Sequence, residues 1–455
     1  MSGEGGVDVV LGEPRKAIVT MAVPLIISMI VAGVNTVADR MWCAGLGSDS
    51  LAAIALVEPI YLVIMGIGNG FGVGAAAVVS RFIGAGDRSK ASGCALNAVM
   101  FSLLFGLVLT PILVSMTSPL LGLIGSGDID DIASDYMLQI VLFTFIHIMY
   151  GTISGIMRGE GAAKMARTIA ITMAATNIIL DPILIYGFGM GISGAGLSTS
   201  LATLTAVVFG LFLYLDGRMY IHMGFRGFRF HGDNLRTVLQ VGIPQMLEYT
   251  VMYAMNIVLN YIVIWCAGSD GLTIYSVPNI VLEMALIPAM AIGSALVPVA
   301  SSAFGQMDPD RMGVAFRYSL KLAVGIVGAF CIVIFIVPEP FLYMFTYTSE
   351  MEVLRPQMVE ALRIYCLFLP AFVLIPVCSS MLQAMVMPNI SVICAVIRNL
   401  LLIVLYAIAA QYSLTAIFWA VFVGEVIGGL MMYAVARRSF GKVSSKLSDI
   451  RRMTI

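Results

Sequence analysis

Twelve stretches of mainly apolar residues, each near the roughly 20 residues a membrane span needs, follow one another along this chain. No other feature restricts its fold so severely. They fall near residues 16–41, 50–76, 92–115, 135–157, 165–187 and 191–215, and again near 237–262, 272–300, 314–338, 359–384, 391–410 and 414–436. Lipid offers no water to bond to, so each stretch must satisfy its own backbone N–H and C=O groups, as a helix does. The lack of extended alternating polarity argues against a transmembrane barrel. Charged residues make up only 11% of the chain, against roughly 25% in soluble domains. The expected fold is an all-α membrane protein with twelve transmembrane helices, and the lipid bilayer is its first partner.

The two sets of six repeat each other. Met21-Ala22-Val23-Pro24 opens one and Val241-Gly242-Ile243-Pro244 the other, and Trp42-Cys43-Ala44-Gly45 recurs as Trp265-Cys266-Ala267-Gly268. Ser80-Arg81-Phe82-Ile83-Gly84 likewise lines up with Ser301-Ser302-Ala303-Phe304-Gly305. Six spans per half return the chain to the side it started from, which predicts two six-helix bundles related by a parallel pseudo-two-fold repeat. The division expected is a tail at 1–15, a bundle at 16–215, a linker at 216–236, a second bundle at 237–436 and a tail at 437–455. Of the 25 Lys and Arg residues, 21 gather on one side, with Arg40, Arg355 and Arg363 on the other and Arg398 inside the eleventh span. Acidic connections such as Asp128, Asp130 and Asp131 lie opposite the basic side. The tails and the linker are therefore expected in the cytoplasm of a multi-pass cell-membrane protein, with no cleavable signal peptide. The seven cysteines lie in or beside apolar runs without a CxxC pair and read as packing residues.

Carboxylates inside apolar runs carry the functional expectation. Asp181 sits within a long apolar stretch, with Pro182 directly after it and Asn177 one helical turn before it. In the first span Asn35 and Asp39 share the same four-residue spacing, and so one helix face. An ionisable group at membrane depth costs several kcal/mol, so it is expected to face a cavity and handle protons or ions. The alternative is a hydrogen-bonded structural carboxylate at a helix end. Pro24 and Pro182 each remove a helix hydrogen bond and predict bends. In the second half, Glu248, Asn256 and Asn260 form a polar stripe on one face, with Met252 between them at the same spacing. That stripe is read either as a second cavity, together with Glu283, or as interhelical packing. Glu58 and Glu425 are further intramembrane acids, and Arg398 either neutralises a buried acid or snorkels.

Other chemistries find little support. Gly189-Met190-Gly191-Ile192-Ser193-Gly194 matches a dinucleotide fingerprint in letters, yet it follows a membrane span instead of a strand. Walker A, HExxH and GxSxG signatures are absent, and His147, His222 and His231 show no metal spacing. Neither an enzyme nor a nucleic-acid partner is expected.

Val23-Pro24, Asn35 to Asp39, Arg158-Gly159-Glu160-Gly161 and Asn177-Ile178-Ile179-Leu180-Asp181-Pro182 together resemble the MATE (multidrug and toxic compound extrusion) transporters, in particular their DinF-like branch. The resemblance covers nearly the whole chain. It implies a monomeric secondary active antiporter that exports amphipathic, often cationic organic compounds in exchange for H+ or Na+, by alternating access and without another cofactor. A lipid or lipid-linked oligosaccharide flippase of the same superfamily is the alternative. Carried over by position, the coupling groups fall on Asp39, Asn177 and Asp181, with a sixth-span threonine at Thr199 and a fourth-span tyrosine at Tyr136. Asp39, Asn177, Asp181 and Thr199 would form the Na+ site. One departure is that Glu248 lies only four residues after Pro244, with Met252 in the place where another branch carries a glutamate.

Overall fold

The computed structural model describes residues 4–124, 129–224, 232–346 and 349–454. Asp128 and the linker segment 225–231 lie outside the described residues. All regular structure among the described residues is helical: α1 (Glu4–Leu11), α2 (Pro14–Ala44), α3 (Ser48–Gly84), α4 (Arg88–Ile124), α5 (Asp130–Val141), α6 (Thr144–Gly159), α7 (Ala163–Pro182) and α8 (Gly191–Leu215), then α9 (Gly232–Gly305), α10 (Pro309–Ile336), α11 (Glu339–Tyr343), α12 (Ser349–Phe372), α13 (Leu374–Ala384), α14 (Pro388–Ala409) and α15 (Leu414–Thr454). Among the described residues ten helices are long and apolar enough to cross a membrane, and the pair α5–α6, bent by 49°, makes an eleventh span. The 74-residue α9 is two helices joined at Gly268, whose φ of 67° only glycine adopts readily, and this raises the spans to twelve. That break falls on the repeated Trp-Cys-Ala-Gly motif, whose first copy ends α2 at Gly45.

Local sequence starts these helices where it should. Glu13 accepts a bond from the Lys16 N–H (3.3 Å) ahead of Pro14, and Asp308 does the same for Arg311 N–H (3.1 Å) ahead of Pro309. An acid that caps orphan N–H groups, followed by a proline that has none to offer, is a favourable helix start. The first residues, expected as a tail, form α1, which buries Val7 and Val10.

Two compact units are distinguished, Met1–Met246 with Ser301–Gln306, and Leu247–Ala300 with Met307–Ile455. In the first, α3 and α6 cross at glycines. A methyl group on Gly68 would stand 3.0 Å from the His147 carbonyl oxygen, and one on Gly159 would stand 2.8 Å from the Ala76 Cα. Between them Gly72 and Gly155 face each other backbone to backbone. The alternate glycines of α3, Gly70 and Gly74, receive the start of α9 at Gly242. Without a hydrophobic force between helices in lipid, such close backbone approach is what holds spans together.

The described part of the linker is bound to this first unit. The fully buried Glu160, in the turn after α6, accepts bonds from the Tyr214 hydroxyl (2.7 Å) and the Ile221 N–H (3.0 Å). Arg88 donates to the Tyr220 carbonyl oxygen (2.6 and 2.9 Å) and lies over its ring. Burial raises the Glu160 carboxyl from 4.5 to about 7, against the opposing pull of its hydrogen bonds and of Arg88. A raised folded value means that folding favours the protonated form. The stability this confers is complete below about pH 4.5 and is lost as pH rises through about 7. Melts of the purified protein are expected to show that decline, and Glu160→Gln is expected to flatten it; an unchanged pH profile in the variant would refute this account.

In the second unit, Arg398 on α14 pairs with Glu425 on α15 at 3.3 Å, both nearly buried. It also donates to the Asn399 side-chain oxygen at 3.2 Å. Arg398 therefore neutralises a buried acid and does not snorkel. Losing either partner would leave a charge stranded in an apolar interior. Tyr275 and Tyr406 share a hydroxyl contact of 2.9 Å, with the ring of Tyr365 edge-on to Tyr275.

Candidate functional site

The site in the first unit is built on α2 and α7, which pack along each other. On α7 the four-residue spacing brings Asn177 and Asp181 together: the Asn177 amide donates to Asp181 Oδ1 at 3.1 Å. Ser198 on α8 completes the group. Its hydroxyl donates to the same Asp181 oxygen and accepts from the Asn177 amide at 3.1 Å. All three side chains are 0–1% exposed.

Pro182 has no N–H, and the chain beyond it widens into a π-helical turn, Ile183–Gly187, ending at Gly189 in a left-handed conformation. The glycine-rich run that spells a dinucleotide motif thus serves the turn into α8. The π turn also projects Tyr186, whose hydroxyl bonds the Trp42 carbonyl oxygen at 2.5 Å beside Gly45, where no side chain stands in its way. This contact joins the helix ends that follow Asp39 and Asp181. α2 remains a single helix through Pro24, where the Ser28 hydroxyl donates to the Pro24 carbonyl oxygen (3.0 Å).

Asp39 and Asn35 are half-buried on α2. The adjacent cation, Arg40, bonds both oxygens of Glu58 at 2.7 and 2.9 Å and forms no ion pair with Asp39, although its charge is still felt there. Asp39 and Asp181 lie within each other's electrostatic reach, and Tyr136 on α5 within that of Asp39. Four buried acceptor oxygens here have no hydrogen-bond partner: Asn35 Oδ1, Asp39 Oδ1, Asn177 Oδ1 and Asp181 Oδ2. A buried acceptor without a donor costs about 1–3 kcal/mol, so these oxygens select for a species that brings positive charge or a proton. Oxygen ligands also suit a hard cation. No group of three or more His, Cys, Asp or Glu side chains placed to hold a metal ion exists among the described residues.

Thr199, expected among the ligands, directs its hydroxyl to the Ala195 carbonyl oxygen of its own helix (3.1 Å), and its neighbour Ser198 makes the contact to Asp181. Ser198→Ala is therefore expected to impair the site more than Thr199→Ala, by the roughly 1.5–3 kcal/mol of a hydrogen bond to a charged group. Coupling-ion affinity measured for both variants decides between them, and equal losses would reject the assignment.

In the second unit Glu248 is half-buried on α9 and accepts from Ser391 on α14 (3.2 Å) and Ser379 on α13 (3.3 Å). Those serines bond each other at 2.8 Å and were not anticipated. Asn256 and Glu283 are exposed and Asn260 is half-buried.

Twelve helical spans, an internal repeat and a buried carboxylate site define a polytopic membrane transporter. The chain belongs to the MatE family, whose model matches residues 24–183 and, a second time, 244–408. The two matches begin on the repeat-related prolines Pro24 and Pro244. The multidrug export protein MepA of Staphylococcus aureus (strain MRSA252) is 23% identical over 420 residues, 91% of this chain and 92% of that protein. MepA of Staphylococcus saprophyticus is 24% identical with the same coverage. Among solved structures, an outward-facing multidrug resistance MATE family transporter of the MOP superfamily matches with TM-score 0.92 at 27% identity, covering 96% of this chain and 98% of that one. A MOP superfamily transporter from Pyrococcus furiosus, described as having a binding pocket of reverse polarity, matches with TM-score 0.92 at 26% identity and the same coverage.

Proposed function

We propose that this MATE transporter is a secondary antiporter exporting amphipathic, often cationic organic compounds in exchange for H+ or Na+. The carrying observation is the set of four partnerless acceptor oxygens on Asn35, Asp39, Asn177 and Asp181. Repulsion between two neighbouring carboxylates falls when one takes a proton or both share a cation. Occupancy then alters how α2 and α7 pack and how α2 bends at Pro24, and alternating access between the two bundles follows. If ion and substrate compete for one cavity, each weakens the other's binding by the same factor. The names of the MepA relatives as multidrug export proteins support the substrate class. A flippase for anionic lipid-linked sugars would call for donors where this site offers acceptors. The Lys and Arg distribution supports cytoplasmic termini in the cell membrane, and the monomer is taken as the working unit.

The test is efflux of a fluorescent organic cation from proteoliposomes with pH and Na+ gradients imposed separately. One gradient should drive transport, and the other should not be needed. Transport indifferent to both would overturn the antiport reading.

A further inference from the structure

On the end of the second unit where α10 stops, a groove of about 620 Å3 is lined by Val337, Glu339, Tyr343, Arg355 and Arg363, among others. Its position is marked by the residues around it. Ile332, Val333 and Ile336 on α10 are 53–67% exposed, and Tyr343 and Met344 just beyond are 61% and 64% exposed. An exposed aliphatic belt followed at once by a tyrosine and two arginines is the pattern of hydrocarbon giving way to headgroups.

Three cations lie on the side of the chain that is poor in Lys and Arg, and two of them are occupied. Arg40 holds Glu58. Arg355 donates to the Thr346 hydroxyl (2.8 Å) and carbonyl oxygen (2.5 Å), approaches Glu352 at 3.5 Å and lies over the Tyr343 ring. Arg363, further along α12, lines the same groove, is exposed and has no hydrogen bond or ion pair among the described residues. Glu339, across the groove, forms no ion pair among them either. An arginine at headgroup depth with no protein acceptor is free to take an anion there, and a guanidinium matches a phosphate by paired hydrogen bonds. The carboxylate of Glu339 beside it would repel a purely anionic headgroup and attract an ammonium.

We infer that this groove is a binding site for the headgroup of a zwitterionic aminophospholipid, with the phosphate on Arg363 and the ammonium toward Glu339. The occupant is a bilayer lipid, because the groove opens where the apolar belt of α10 ends and the acyl chains have that belt to lie on. The site shares no residue with the carboxylate site on α2 and α7, so its test is independent of the transport reading.

The test is native mass spectrometry of the full-length purified protein, supplied in turn with phosphatidylethanolamine, phosphatidylcholine, phosphatidylglycerol and inorganic phosphate. Phosphatidylethanolamine should be retained best. Arg363→Gln should weaken its retention by about tenfold, the scale of one lost charge-assisted pair, while Arg363→Lys keeps most of it. Glu339→Gln should abolish the preference for ethanolamine over glycerol headgroups and leave phosphate-dependent retention in place. Equal retention by wild type and Arg363→Gln would overturn the proposal. So would a preference for phosphatidylglycerol or phosphatidylcholine, or displacement of the lipid by inorganic phosphate. The wild-type competition by headgroup type decides the matter even if a variant fails to fold.

Discussion

Asp181→Asn is expected to abolish ion-driven efflux in proteoliposomes while leaving the protein folded. The asparagine oxygen can still accept from the Asn177 amide and the Ser198 hydroxyl, which now meet at one Asp181 oxygen. What disappears is the charge, and with it the reason for a proton or cation to prefer one state of the transporter. A coupling of about 1–3 kcal/mol, or 5- to 150-fold in affinity, is the usual size of such linkage, and the variant should lose it whole. Its melting temperature should match or exceed the wild-type value, since removing a buried charge relieves desolvation. Substrate binding should persist without dependence on pH or Na+. Asp39→Asn is expected to act in the same direction. Gradient-driven transport at the wild-type rate in the Asp181 variant would remove the site from the mechanism.

Gly155→Val is expected to yield no monodisperse protein on solubilisation. A side chain there would meet the backbone of Gly72 at three atoms, all closer than real side chains come. Backbone inside a helix cannot rotate aside as a side chain can, so α3 and α6 would have to separate along their shared face. Overpacking in cores costs about 1–3 kcal/mol even where neighbours give way, and total stabilities are only about 5–15 kcal/mol. The control is Gly325→Ala on α10, where a Cβ meets nothing within 4 Å. That change should be neutral or slightly stabilising, because alanine favours the helix by about 1 kcal/mol over glycine. Normal yield from Gly155→Val would mean that the crossing is looser than its geometry implies.

Much of the site was legible in the sequence because its signals are local. Four-residue spacing puts Asn35 with Asp39 and Asn177 with Asp181 whatever surrounds them, and an acid in an apolar run marks itself. Ser198 carried no such mark. It stands beside Thr199 in a helix that is apolar nearly all round, and two adjacent residues differ by about 100° around the axis. Which of them meets Asp181 depends on how α8 is rotated against α7, and hydropathy says nothing about that. Ser379 and Ser391 are unmarked in the sequence for the same reason, since hydroxyls are common in membrane helices and only their convergence on Glu248 sets these apart. The glycine run of α3 is a signal of another kind. Gly68, Gly70, Gly72 and Gly74 alternate in plain sight, and their spacing would have pointed to two close helix contacts.

The sequence by itself determined that this chain crosses a membrane as helices, that its halves repeat, and where ionisable groups interrupt the lipid-compatible runs. These follow from short-range rules: backbone groups in lipid bond within their own segment, and helical spacing assigns faces. The tertiary structure alone decided that Arg40 pairs with Glu58 and not with Asp39, that Arg398 answers Glu425, and that a serine, not the threonine beside it, reaches Asp181. Those pairings join residues on different helices, and they depend on rotations and depths of packing that only the whole set of close glycine contacts sets.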